Sequence, residues 1–357
     1  MPIRYSDPFV ARLVQRMGEV IEGNAAASDA VAQELSELAE ANNPAIGAYW
    51  QRVGRGVGVP DVAFRTGSMF HFDAAHVVRQ FRTSGTSGQA RGMAEYSEHG
   101  LALMRCSVLA NGRRHLFRDL DRPTVLRLVP DTRTAPEAIM AWGMAQLSEA
   151  FGDPASSASV VRPGGVDLGD LADRLDVSMA EGRPVVLVGG SFAFVHVCDA
   201  LKANGRRWSL PFGSRMVDAG GFKGRSRELD VDVLRAEVQS VFGIAPGRCT
   251  NIFGMTELAS QLHDGVDRKV GPRGERPKPS QPFVRSRLRD PFSFEVVTEG
   301  AGLLEIEDLC VLDRPSVLLT GDWGVGSPDG VAITGRVIAS DSRGCALNFE
   351  SGIGGRG

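Results

Sequence analysis

Two rhythms of apolar positions alternate along the middle of this chain. TVLRLVP (Thr124 to Pro130) and PVVLVGG (from Pro184) are short continuous apolar runs and read as buried strands. PEAIMAWGMAQLSEAFG (Pro136 to Gly152), GVDLGDLADRLDVSMAEG and SFAFVHVCDALKANG carry apolar residues at helical spacing, the last stopping on Asn204-Gly205. RMVDAGG (Arg215 to Gly221) reads as a strand ending in a glycine turn, and RELDVDVLRAEVQSVFG as a helix. CTNIFGMTELAS (Cys249 to Ser260) reads as a short strand, a turn and a helix start. Strands and helices in alternation predict a mostly parallel sheet covered on both faces.

The flanks differ. Residues 7 to 42 read as two helices, one opened by Asp7-Pro8 and one by Ser28 and Asp29. Residues 44 to 80 are mixed, and MAEYSEHGLALMRCSVLANG looks helical. After Gly265 the chain turns basic and proline-rich (DRKVGPRGERPKPSQP), an exposed loop. FSFEVV, GLLEIEDL, SVLLTGD and VAITGRV then read as short strands. The expected architecture is α/β. A large α/β core with an N-terminal helical segment spans 1–262, and a smaller β-rich subdomain with a short tail spans 263–357.

Composition narrows the class. At 357 residues, 43% apolar, 23% charged and a formal net charge of −3, the chain suits a globular protein and offers no basic field for nucleic acid. Cys106, Cys198, Cys249, Cys310 and Cys345 form no C-x-x-C pair, so neither a disulfide frame nor a zinc site is expected. The N-terminus lacks the apolar run of a signal peptide, and no stretch is long enough to span a bilayer, which predicts a cytoplasmic protein.

Four segments carry chemistry. In Thr83-Ser84-Gly85-Thr86-Ser87-Gly88, glycines free the backbone to aim several N–H groups at one anion, and hydroxyls add donors. This suits a polyphosphate, although no Gly-Lys-Ser/Thr of a Walker loop follows. Phe253-Gly254-Met255-Thr256-Glu257 can set a hydroxyl and a carboxylate beside a phosphate, where the carboxylate would hold Mg²⁺; a Thr-Glu pair capping a helix is the plainer reading. In Leu319-Thr320-Gly321-Asp322-Trp323-Gly324 a strand delivers a carboxylate able to accept two hydrogen bonds from a vicinal diol such as a ribose; a turn aspartate is the alternative. Thr334-Gly335-Arg336 offers an arginine at a strand end.

Taken in this order and spacing, TSGTSG, FGMTE, TGD and GR resemble the adenylate-forming superfamily of acyl and aryl ligases, which includes acyl-CoA synthetases and phenylacetate-CoA ligases. PVVLVGGSFAFVHV, DAGGFKGRSREL, FGMTELASQ, LLTGDWG and RGCALNFE are similar to the acyl-protein synthetase family of bacterial luminescence. The resemblance implies ATP and Mg²⁺ as cofactors and a fatty or aromatic carboxylic acid as substrate. It implies a phosphate loop at Thr83, Ser84, Gly85, Thr86, Ser87 and Gly88, and phosphate and Mg²⁺ contacts at Thr256 and Glu257. Asp322 would bind ribose with Arg336 near it; Gly220, Gly221, Phe253 and Gly254 would lie near adenine and substrate. Cys345, two residues after Arg343, would accept the acyl group for a partner reductase or carrier protein.

Two departures accompany the likeness. Arg91 stands where the phosphate loop would have its lysine, and the chain has about twenty residues after Arg336, with no C-terminal lid domain and its catalytic lysine. Adenylation would lean on Arg91, Lys223 or a partner. An aryl or polyketide-type acid-activating ligase, or a nucleotide-binding relic without turnover, are the alternatives. His196 is expected in the core, and His263 either at the substrate or on the surface. Phe192, Phe194, Trp142 and Met144 are expected as core rather than pocket lining.

Overall fold

The computed structural model describes residues 2–83, 91–220, 229–267 and 276–336. Contacts divide the chain into two compact units, one of 1–110, 255–262 and 277–357, the other of 111–254 and 263–276. This differs from a single cut at residue 262, because the chain passes between the units several times.

The second unit holds the parallel sheet that the apolar runs predict. Its order is Leu262–His263, Cys249–Phe253, Arg215–Ala219, Val185–Gly190, Thr124–Leu128, Ala158–Ser159. The neighbours from Cys249–Phe253 to Ala158–Ser159 all pair parallel. Every position of Val185–Gly190 is buried, as expected of a strand covered on both faces. Helices Leu168–Ala180, Ser191–Ala203 and Val231–Phe242 pack apolar faces built on Leu171, Leu175, Phe194, Val197, Val238 and Phe242 into one core. Local signals set the ends: Asp167 accepts from Gly169 N and Asp170 N, and Gly243 ends its helix at φ 70°. Trp142, Met144 and Phe194 are buried and Phe192 packs on the core edge. His196 is exposed on its helix, not in the core, since the helix turns that position away from the sheet.

The first unit opens with helices Pro8–Glu22, Ser28–Asn42 and Pro44–Val53. Its six-stranded sheet joins Val59–Pro60, Val317–Ser327, Ala301–Asp308, Val284–Arg289 and Val296–Val297, with Gly330–Arg336 on Val317–Ser327. All pairs are antiparallel except Val59–Pro60 with Leu318–Leu319. The strand VRSRLR hides in the sequence behind three arginines. Arg287 and Arg289 are there because Glu305, fully buried on the neighbouring strand, takes both guanidinium groups and the N–H of Gly58.

Three further expectations change. MAEY is not helical: Met93–Tyr96 pairs with Arg79–Arg82 as a hairpin, and the helix begins at Glu98. FSFEVV contributes only Val296–Val297 as strand. No helix follows FGMTE; residues 255–261 are turn and irregular backbone.

Gly100, in the first turn of helix Glu98–His115, is a packing requirement. Asp313 is fully buried, accepting from Ser97 N at 3.0 Å and Ser97 Oγ at 2.6 Å, and a methyl at Gly100 would overlap its Oδ2. Gly100→Ala should therefore cost about 2 kcal/mol or more in urea unfolding, although alanine favours a helix by about 1 kcal/mol over glycine.

Candidate functional site

The first unit collects charged groups on irregular backbone. Thr83 and Gly92 close the neck of the Thr/Ser/Gly loop: Thr83 N donates to Gly92 O at 2.9 Å, and Gly92 N to Thr83 Oγ1 at 2.8 Å. Arg91 Nε donates to Thr83 O at 2.7 Å, so this arginine is tied to the base of the loop. Ser84, Gly85, Thr86, Ser87 and Gly88 lie outside the described residues, as do Gly221, Lys223, Arg343 and Cys345.

Glu257 reaches that neck. A methyl on Gly92 would sit 3.1 Å from Thr83 Cγ2 and 3.3 Å from Glu257 Oε1, so glycine leaves the carboxylate room beside Thr83. Glu257 is 5% exposed and Thr256 8%. Burial first, then the charge of Asp61, push the Glu257 carboxyl up to about 7, while Arg314 and Arg336 pull it down. Asp322 lies opposite Arg336 in the strand register. Its carboxyl is raised by burial, against the pull of Arg336 and with the push of Asp61. Arg336 itself hydrogen-bonds and ion-pairs with Asp61, and its guanidinium lies beside Gly321. Asp61, Glu257 and Asp322 thus form an acidic site with Arg336 at its rim.

With no helix to hold them, the Glu257–Ser260 backbone atoms are held by side chains. Arg314 Nε donates to Glu257 O at 2.7 Å, and Tyr96 Oη donates to Leu258 O at 2.8 Å while accepting from Arg314. The Arg314 guanidinium stacks 4.1 Å from the Tyr96 ring centroid. Ser107 Oγ donates to Ala259 O at 2.9 Å. Asp308, fully buried, accepts from Ala259 N at 2.8 Å, from Ser260 N at 2.6 Å and from Ser260 Oγ at 2.8 Å. The helix-cap reading of Thr256-Glu257 falls, because the turn starts no helix and is fixed from outside.

In the second unit Gly220, Phe253 and Gly254 sit at the carboxyl ends of parallel strands, where α/β sheets receive ligands. Gly220 takes φ 74°, and its carbonyl accepts from Ser191 Oγ at 2.8 Å. Asp218 accepts from Ser191 Oγ at 2.6 Å and from Asn251 Nδ2 at 3.0 Å. Phe253 is half-buried and Gly254 exposed. His263 is buried and stacks on His115 with centroids 5.3 Å apart, so it is not a surface residue. Burial pushes Cys198 and Cys249 up to about 12 and Cys310 well above the ordinary thiol, which disqualifies all three as nucleophiles at neutral pH.

Mg²⁺ fits the acidic site on chemical grounds: the Glu257 carboxyl, raised chiefly by burial and then by Asp61, would exchange its proton for a cation. Among the described residues no group of three His, Cys, Asp or Glu side chains is placed to hold a metal ion.

Sequence reasoning missed Asp61, Tyr96, Arg314 and Asp308. Asp61 gives no local sign, being brought in by the pairing of Val59–Pro60 with Leu318–Leu319. Tyr96 gives none either, but Asp308 and Arg314 left one: with Asp313 they are charges inside the apolar run EDLCVLDRPSVLL, a pattern that asks for buried partners.

An open-conformation 2-hydroxyisobutyryl-CoA ligase solved with 2-HIB-AMP and CoA superimposes with a TM-score of 0.62 at 12% identity, over 88% of this chain and 76% of that one. The fold is that of the adenylate-forming enzymes. A long-chain-fatty-acid-CoA ligase from Archaeoglobus fulgidus matches at 0.52 and 13% identity, covering 73% of this chain and 52% of its own. The McyG A-PCP structure with phenylalanyl-adenylate matches at 0.51 and 17%, covering 73% of this chain and 41% of its own. The chain therefore spans about half, or less, of the last two proteins. No protein-family model and no curated protein matches the chain. Among the described residues, no helix is long and apolar enough to cross a membrane.

Proposed function

We propose that the chain activates a carboxylic acid with ATP, forming an acyl-adenylate and releasing pyrophosphate. The observation that carries this reading is Glu257: a carboxyl raised to about 7 beside Thr83, at the neck of a Thr/Ser/Gly loop, on the fold of adenylate-forming enzymes. Bound Mg-ATP would supply the adenylyl group and the pyrophosphate leaving group. Glu257 and Thr256 would hold the metal and a phosphate oxygen. Asp322 would accept from the ribose hydroxyls and Arg336 would balance its charge. Ser84, Gly85, Thr86, Ser87 and Gly88 would cradle the phosphates, and Gly220, Gly221, Phe253 and Gly254 would border adenine and the acid. Water is kept from Glu257 by its burial, so charge developing on the phosphates meets preorganised partners in place of solvent.

The acyl group then passes to a thiol, the acyl–phosphate bond breaking as the thioester forms and AMP leaving. Cys345 of the same chain is the acceptor we favour, with Arg343 supporting its thiolate, and an acyl reductase or carrier protein takes the group onward in the cytoplasm. The test is pyrophosphate release from Mg-ATP across fatty, aromatic and amino acids. Release that depends on one acid supports adenylation, and no release with any acid overturns it. Cys345→Ala should abolish labelling of the protein by radioactive acid while leaving the first round of pyrophosphate release intact; labelling that survives the substitution removes the cysteine from the scheme.

A further inference from the structure

Arg127 breaks the pattern of the strand that carries it. Thr124, Val125, Leu126 and Leu128 around it are buried, and its side chain is only 14% exposed. A guanidinium in such a strand needs hydrogen-bond partners to offset lost water. The Arg127 guanidinium makes no hydrogen bond among the described residues, and its one ion pair is a 4.0 Å contact to Asp131 Oδ2. Asp131 Oδ1 already accepts Arg133 N and Arg133 Nε, each at 3.0 Å. Glu149 attracts Arg127 from further away, and burial still pulls the arginine below its ordinary range.

The same side chain lines an open cleft of about 650 Å³ at the carboxyl ends of the parallel strands Thr124–Leu128 and Ala158–Ser159. Arg133, Arg162, Thr134 and Ser159 line it too, with Asp131 as its one carboxylate. Arg162 gives Asp170 a 2.7 Å hydrogen bond and Ser159 O another. Arg133 is paired with Asp131 and Arg162 with Asp170, which leaves Arg127 as the lining guanidinium without a close partner, a planar fork suited to phosphate oxygens.

We propose that this cleft binds the phosphate group of a small ligand, with Arg127 as its charged anchor and Arg133 and Arg162 completing the cradle, since the hydroxyls of Thr134 and Ser159 already donate to the carbonyls of Asp131 and Val129. The proposal does not rest on acid activation.

Equilibrium dialysis with radioactive inorganic phosphate tests it, followed by competition with coenzyme A and with adenosine monophosphate to separate free phosphate from a phosphate ester. Saturable binding is expected, weakened about tenfold or more by Arg127→Met and unchanged by Arg206→Gln. Phosphate held instead by the Thr83 loop would be indifferent to Arg127, and equal binding by a cooperatively folding Arg127→Met overturns the proposal. If that variant does not fold, the doubly substituted Arg133→Gln, Arg162→Gln protein decides, because Arg133 is exposed and Arg162 half-exposed; undiminished binding by it overturns the proposal, as does the absence of saturable binding by the unmodified protein.

Discussion

Glu257→Gln is expected to cut acid-dependent pyrophosphate release by about 10²–10³-fold and, in the same protein, to raise stability above neutral pH. The first effect follows from losing the carboxylate proposed to hold Mg²⁺ at the phosphates. The second follows from proton linkage. The native carboxyl titrates at about 7 because burial and Asp61 disfavour its charge, while the ordinary value is 4.5. Below 4.5 both native and unfolded states hold the proton, and the group contributes nothing to pH dependence. Between 4.5 and about 7 the unfolded chain gives up a proton that the native state keeps, so native stability falls as pH rises through that window. Above it the native state bears a penalty on the order of 3 kcal/mol. Glutamine keeps the shape of the protonated acid and escapes the penalty. Urea unfolding without Mg²⁺ should show the variant and the unmodified protein alike near pH 4.5 and the variant more stable at pH 8; an equal gap at both pH values would rule out a raised carboxyl. Mg²⁺ with ATP should narrow the gap, since a cation stabilises the charged form that glutamine lacks.

The parallel sheet was legible because its strands are buried on both faces, which leaves runs such as VVLVGG with no polar interruption. Its helices carried their own punctuation in Asp167, Asp230 and Gly243. The antiparallel sheet was harder to read. VRSRLR looks like surface until its arginines are seen to close on Glu305 from the next strand, a pairing that only the register of Val284–Arg289 with Ala301–Asp308 creates. MAEY reads as part of the helix after it because four residues are too few to show a period.

For the site, only the resemblance to a family pattern joins Thr83, Glu257, Asp322 and Arg336, because the sequence reading assigns the first two to 1–262 and the last two to 263–357. The geometry adds what spacing could not carry. Arg336 does not stand alone beside Asp322 but pairs with Asp61, which lies 275 residues away along the chain. The helix expected after FGMTE was predicted from TELAS, whose residues do favour a cap and a helix start. Tertiary partners overrode that propensity by engaging the same backbone groups a helix would have used: Ala259 N and Ser260 N go to Asp308, and the carbonyls of Glu257 and Leu258 go to Arg314 and Tyr96.

That override makes Arg314 the residue whose loss should be felt furthest. Its guanidinium is 2% exposed and is shared among Glu257 O, Glu95 O and the Tyr96 hydroxyl, while its charge lowers the carboxyls of Glu257 and Asp313 and the Tyr96 phenol. Arg314→Met keeps most of the volume and removes every one of these interactions. It leaves buried acceptors unpaired at about 1–3 kcal/mol each, so a destabilisation of more than about 3 kcal/mol is expected in urea unfolding. The chemical consequence is separable from the structural one. Without the nearby positive charge Glu257 should hold its proton to higher pH, so the rise of pyrophosphate release with pH should move upward in Arg314→Met wherever the variant remains folded. Arg314→Lys keeps the charge but not the fork, and should lose stability while leaving the pH profile close to its original position. Tyr96→Phe removes the bond to Leu258 O but leaves Arg314 in place, and should likewise destabilise without moving the profile. A profile that shifts equally in all three would mean that the turn's position, and not the charge of Arg314, sets the acidity of Glu257.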